Sequence, residues 1–261
     1  MLGAVAGDVI GSVYEYFRTK NYDFPLFHRY STFTDDTVLT IAIANAILKE
    51  EDYGASLKAF GRKYPGHGYG SMFRAWLRKE ENEPYYSWGN GSAMRVSPVG
   101  FAFDDVNEVL KEARMSAAVT HNHPEGIKGA QATALAIYLA RTGREKTEIR
   151  DQISSRFGYD LSRTVDQIRP SYTFNETCLG TVPEAIIAFL ESEDYEDAIR
   201  KSVSLGGDSD TLGCITGGIA QAYYKAIPTR IVQHVNRLLP EEFREIIKEF
   251  NLKFKVHFSM S

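Results

Sequence analysis

Two short stretches, Thr34-Asp35-Asp36 and Asp208-Ser209-Asp210-Thr211, set carboxylates and hydroxyls side by side directly ahead of long apolar runs. One acid or one threonine at such a place is ordinary, because its side chain caps the free N–H groups of a starting helix. A second aspartate next to the first, or two residues on, exceeds what a cap uses. Like charges a few ångströms apart oppose joint ionisation unless a cation or a hydrogen-bonding ligand lies among them. The four aspartates and two threonines of these stretches are hard oxygen donors, a set that suits magnesium or manganese rather than zinc or copper. Two such clusters facing each other could hold a pair of metal ions, which activate water and anchor substrate oxygens. The helix N-termini favour ionised carboxylates here while opposing the cations themselves.

The elements that must position these groups are legible in outline. Val38 to Leu48 is apolar on every side, so the helix it forms belongs inside the protein and its leading acids open onto an interior cleft. Leu212 to Ala226 reads the same way, behind the flexible Gly206-Gly207 lead-in. Leu2 to Tyr16 is a further helix, with Gly3, Gly7 and Gly11 on one face where another helix can approach closely. Asp8 and Glu15 project from it within about 20° of each other; Asp8 suits a solvated face or a buried hydrogen-bonding role equally. Ser87-Trp88-Gly89-Asn90-Gly91-Ser92, running on to Arg95, is a small-residue loop. Its amides could approach phosphate oxygens, although for the loop taken alone a simple turn is the better reading. His121 and His123 lack a third soft ligand nearby, so hydrogen-bonding or capping roles outrank zinc. Pro124 opens the next helix, Ile127 to Ala140.

Further helices are predicted over 55–64, 71–82, 104–119, 145–157, 160–168, 183–191 and 194–204, with two more delimited by Pro228 and Pro240. The tail from Leu252 to Phe258 alternates apolar and polar residues and reads as a short strand. No repeat or linker interrupts the 261 residues. The expectation is an all-α, single compact multi-helix domain over 1–261. A net charge of −4 argues against general nucleic-acid binding, which needs a basic face. Cys178 and Cys214 fit no metal or redox spacing and read as buried thiols of a reducing compartment. With no leader pattern and no membrane-length apolar run, the reading is a cytoplasmic protein without membrane association.

In order along the chain, Gly3 to Glu15, Thr34 to Thr37, Ser87 to Arg95, Thr120 to Gly126 and Gly206 to Thr211 resemble the motifs of the ADP-ribosylglycohydrolase family. The resemblance spans about residues 1 to 226 and is most specific in the pair TDDT and GGDSDT. It implies an all-α fold with two Mg²⁺, Mn²⁺ being the alternative, ligated by Thr34, Asp35, Asp36, Asp208, Asp210 and Thr211. It implies that Glu15 reaches the metals or the attacking water and gates the site. It also implies that Ser87 to Gly91 wrap the pyrophosphate and distal ribose, and that His121 hydrogen-bonds the ligand. Asp36 is the leading candidate for the proton-transfer group. Gly206 and Gly207 would leave room for the nucleotide beside the backbone. The implied activity is hydrolysis of the bond from C1″ of ADP-ribose to an acceptor on a protein or other conjugate, with ADP-ribose as product. A non-catalytic ADP-ribose-binding protein, another two-metal hydrolase such as a phosphoesterase, and a purely structural set of helix caps are the rival readings.

Overall fold

A computed structural model describes all of residues 1–261. The chain is almost wholly helical, as its patterning predicts: α1 (Leu2–Tyr16), α2 (Asp35–Lys49), α3 (Tyr53–Lys63), α4 (Ser71–Leu77), α5 (Gly91–Met94), α6 (Ser97–Ala102), α7 (Val106–Ala118), α8 (Pro124–Arg141), α9 (Lys146–Phe157), α10 (Val165–Ile168), α11 (Cys178–Leu190), α12 (Tyr195–Val203), α13 (Ser209–Tyr224), α14 (Thr229–Leu238) and α15 (Glu241–Lys253). Two-residue strands β1 (Ala226–Ile227) and β2 (Ser259–Met260) pair in parallel. No helix is long and apolar enough to cross a membrane.

The centre of the molecule is the α1–α13 pair. Gly3, Gly7 and Gly11 face Gly217, Gly213 and Ser209, and a Cβ added at any of the three would collide with the opposing carbonyl. The helices therefore touch backbone to backbone, which only a glycine stripe permits. The register is locked at one end, where Gln221 Oε1 accepts from Gly3 N at 2.7 Å and the Tyr195 hydroxyl donates to Gly3 O at 2.6 Å. α2, α8 and α11 surround this pair, and almost every residue of α2 after its first turn is buried. Outer helices such as α12 and α14 carry one apolar stripe, burying only Ile231, Val232 and Val235 in the second case. Both cysteines are buried, unpaired thiols, as their spacing suggests.

The structure corrects several expected boundaries. The 71–82 helix stops at Leu77, because Lys58 Nζ takes the carbonyls of Lys79, Glu80 and Glu81 into a loop. The 160–168 segment is helical only from Val165 to Ile168; Asp160 turns the chain back on Ser162 before a Thr164–Gln167 capping box. The 183–191 helix begins earlier, at Cys178 with Thr177 as its cap, so Pro183 lies inside it rather than at its start. α6 has no periodicity to announce it. The tail is not a strand over 252–258: α15 runs to Lys253, Phe250 packs at a tilt against Phe254, and Lys255 (φ 51°) breaks the chain direction before β2.

Candidate active site

The two acidic clusters meet. Thr211 Oγ1 donates to Asp36 Oδ2 at 3.4 Å, joining the N-terminus of α13 to that of α2 at the base of a cleft of about 590 Å³. That is within the roughly 300–1,000 Å³ range of small-molecule sites. Glu15, Thr34, Asp35, Asp36, Asp208, Asp210 and Thr211 all line it, as do Ser87, Trp88, Gly89, Asn90, Gly91 and His121.

Capping does not account for the acids. At α2 the cap is Thr34, whose hydroxyl accepts from Asp36 N at 3.3 Å, so both aspartates are left over. At α13 Asp208 occupies the cap position without a capping bond; its carboxylate instead accepts from Asn90 Nδ2 at 2.7 Å. Burial, reinforced by the charge of Asp210, pushes the Asp35, Asp36 and Asp208 carboxyls well above the usual range. The Glu15 carboxyl is pushed up to about 7 by the same two causes. None of the chain's ion pairs involves Asp35, Asp36, Asp208 or Asp210, and Asp36 Oδ1 is buried with no partner at all. No three His, Cys, Asp or Glu side chains close on one point as a complete metal shell. An orphaned carboxylate oxygen among unneutralised acids and hydroxyls is nevertheless the donor chemistry a hard divalent cation requires, so the residues fit such an ion.

Asp8 settles between its two sequence readings as a buried hydrogen-bonding group. Oδ2 accepts from Thr34 N (2.9 Å), Thr37 N (3.1 Å) and the Thr37 hydroxyl, while Oδ1 accepts from the Thr34 hydroxyl at 2.8 Å. It thereby ties the cluster on α2 to α1. With its proton spent on Asp8 and one lone pair on Asp36 N, Thr34 Oγ1 keeps a single lone pair for the cleft. Asp8→Ala strands two buried amides, and a loss of about 2–4 kcal/mol is expected. Urea unfolding checks it, and a loss under about 1 kcal/mol would mean that water replaces the carboxylate.

The Ser87–Gly91 loop is held rigid by backbone bonds to the start of α11: Asn90 N to Glu176 O at 2.8 Å and Cys178 N to Trp88 O at 3.0 Å. His121 lies beneath it, with Nε2 only 3.1 Å from where a Cβ at Gly91 would be, so a larger residue there would press on the imidazole. His123 caps α8 by accepting from Glu125 N at 3.1 Å. Three proposed contact residues fall outside the cleft lining. Ser92 is buried and donates to Gly126 O at 2.7 Å. The space beside Gly207 is filled by the Tyr172 ring, and Gly206 (φ 69°) turns against Thr19 O, so both glycines answer to packing rather than leaving a path for a nucleotide.

Sequence reasoning missed the cleft's aromatic walls, Tyr16, Phe17, Tyr30 and Phe174, which are exposed side chains on separate loops and helix ends. Only the placing of Tyr16 and Phe17 directly after Glu15 hinted at them. Arg95, fully buried at the cleft wall, was part of a recognised motif but had no assigned role.

The fold and this cleft define the class. The sequence model of the ADP-ribosylglycohydrolase family matches residues 1–258, and the chain belongs to that family. Among its relatives, the ADP-ribosylhydrolase ARH3 of Homo sapiens is 28% identical, over 86% of this chain and 84% of that protein. The ADP-ribosylarginine hydrolase Tri1 of Pseudomonas putida is 26% identical, over 93% and 76%. A solved chain described as an ADP-ribosylglycohydrolase-related protein complex shares the fold, with a TM-score of 0.76 and 24% identity over 97% of this chain and 95% of that one.

Proposed function

We propose that the protein is a divalent-metal-dependent ADP-ribosylhydrolase that releases ADP-ribose from a protein side chain or another conjugate. The observation that carries this reading is the contact between the two acidic clusters beneath a glycine loop in one cleft. Thr34, Asp35, Asp36, Asp208, Asp210 and Thr211 would hold two Mg²⁺, or Mn²⁺ in their place. Bound there, the ions supply charge stabilisation and a water made acidic enough to react.

The chain's own residues do the rest. Asn90 fixes the orientation of the Asp208 carboxylate through its 2.7 Å bond. Asp36, besides lending its unpartnered Oδ1 to a cation, would be the carboxylate that holds or moves a proton on the attacking water. Glu15, half-buried at the end of α1 and lining the cleft, is suited to holding the attacking water. In the rigid loop from Ser87 to Gly91 the amides of Gly89 and Asn90 are already bonded to Ser87 Oγ and Glu176 O, so those of Ser87, Trp88 and Gly91 are the ones it could offer a diphosphate, and the wall of exposed aromatics offers faces on which a base can stack.

The test is a panel of ADP-ribosylated arginine, serine and nucleic-acid substrates, each incubated with Mg²⁺ and with chelator. Release of ADP-ribose from at least one member, falling at least about 10²-fold with chelator, is expected. Tight binding without release would identify a reader, and phosphate in place of ADP-ribose would identify a phosphoesterase.

A further inference from the structure

Arg95 is the largest charged side chain in the interior, with no exposed surface and no carboxylate partner. Its Nη2 donates to Ser116 O at 2.9 Å and to Thr120 Oγ1 at 2.8 Å, whereas Nε and Nη1 are buried without partners. Thr120, itself fully buried, stands 2.8 Å from His121 Nδ1.

A hydroxyl has one proton and two lone pairs, and a guanidinium can only donate. Arg95 therefore occupies a lone pair of Thr120. If His121 Nδ1 also donated, the Thr120 proton would be left to the Tyr85 hydroxyl, the third group hydrogen-bonded to Thr120, whose own proton would then have no protein acceptor. Buried donors without partners are rare because their desolvation is uncompensated. The arrangement that leaves none of the Thr120 hydroxyl, the Tyr85 hydroxyl and His121 Nδ1 unpaired has Tyr85 donating to Thr120 and Thr120 donating to Nδ1, which leaves the ring proton of neutral His121 on Nε2. That nitrogen faces the glycine loop, 3.1 Å and 3.5 Å from the Cβ positions at Gly91 and Gly89.

We propose that Arg95, acting through Thr120, is a positioning residue that fixes His121 as a neutral donor with its proton on Nε2, aimed at the phosphate-loop end of the cleft. Burial and the neighbouring guanidinium both lower the His121 pKa well below the usual histidine value, which agrees with a neutral ring. The other group facing the imidazole is the Tyr85 ring, 5.8 Å away and uncharged at neutral pH. A neutral donor suits a site that must let its product go: it orients an oxygen of the ligand without adding a full charge to hold it. The ligand side of this inference rests on the ADP-ribose reading above, while the protonation side stands on the hydrogen bonds alone.

The experiment is a long-range ¹H–¹⁵N correlation of the histidine rings in the intact protein, with His121 assigned by its loss in His121→Gln, together with calorimetric titration of free ADP-ribose. The wild-type ring is expected to show the Nε2–H pattern unchanged from about pH 6 to about pH 8. Thr120→Val, close in shape but without the hydroxyl, is expected to move the ring toward the other tautomer and to weaken ADP-ribose binding about tenfold. Thr120→Ser should restore both. An Nδ1–H pattern in the wild type, a ring titrating near the ordinary histidine value, or a Thr120→Val protein with tautomer and affinity unchanged would overturn the proposal. A wild-type protein with the expected tautomer that fails to bind ADP-ribose would uphold the relay and overturn the ADP-ribose reading.

Discussion

Asp210→Asn is expected to make the metal-free protein more stable and the hydrolase inactive. Asp210 sits where its charge reaches the other acids: it raises the carboxyls of Asp8, Glu15, Asp35, Asp36 and Asp208. The amide oxygen of an asparagine can still accept the 2.9 Å bond that Asp210 Oδ1 takes from Thr211 N, so the turn is kept. What is lost is repulsion. A gain of about 1–2 kcal/mol at pH 8 is in the range for relieving such functional strain, or roughly 2–4 °C in Tm per kcal/mol.

The pH dependence carries a sign. Asp8 and Glu15 are pushed up to about 7 in the folded chain, against about 4 when unfolded. The folded state thus binds more protons between those values. The stability they contribute is fully present below about pH 4 and is lost as pH rises through about 7. Metal-free wild type should therefore weaken from pH 5 to pH 8, and Asp210→Asn should flatten that slope. Activity should fall at least about 10³-fold, equivalent to about 4 kcal/mol of barrier. Added Mg²⁺ should raise the wild-type Tm by mass action and leave the variant unmoved. Thermal scans at two pH values with and without Mg²⁺, beside a single ADP-ribose release assay, check all of this. A variant that is less stable without metal and still active would sink the two-metal reading.

How much of this was legible in the sequence follows from how local each signal was. The interior helices announced themselves, since Val38 to Leu48 and Leu212 to Ala226 offer almost no polar face to solvent, although the second helix stops at Tyr224 and Ala226 lies in β1. Thr34-Asp35-Asp36 and Asp208-Asp210 stood out because caps use one acid each, and the structure puts them at one cleft. One boundary failed because the expected helix began at Pro183 although Thr177, a local cap three residues before Gly180, opens it at Cys178, and another because a distant side chain decides it, Lys58 ending α4 from another helix. The roles of Gly206 and Gly207 were unreadable for the same reason, because only the fold brings Tyr172 and Thr19 against them. Asp8 and Arg95 were ambiguous as single letters. Their partners, Thr34, Thr37, Ser116 and Thr120, lie 21 to 29 residues away and converge only by packing.

The glycine stripe gives the second large expectation: Gly7→Ala should damage stability and catalysis together, against the intrinsic preference of the helix. In an ordinary helix interior, alanine stabilises by about 1 kcal/mol over glycine. At Gly7 the new methyl would overlap the Gly213 carbonyl, and that carbonyl belongs to backbone that cannot rotate aside. The helices must part, and overpacking of this kind costs about 1–3 kcal/mol or more, so a net loss of roughly 2 kcal/mol is expected after the propensity gain is set against it. The α1–α13 seam also sets the spacing of the site. α1 carries Glu15 and, through Asp8, holds Thr34, while α13 carries Asp210 and Thr211. A displacement of about 1 Å between reacting groups is enough for a 10²-fold loss, so the ADP-ribose release rate should fall by about that factor even where the variant remains folded. Gly218→Ala separates the two effects. It lies on α13 too, but its nearest neighbours are Ile137 Cδ1, the free end of a side chain, and Ser97 Cβ, both at 3.3 Å, so a shift of a few tenths of an ångström accommodates the methyl. Its stability should change by less than about 1 kcal/mol, the propensity gain offsetting a mild contact. Equal losses in the two variants would show that α13 dislikes any added methyl, and that the α1–α13 contact is not what sets the distance between Glu15 and the aspartates.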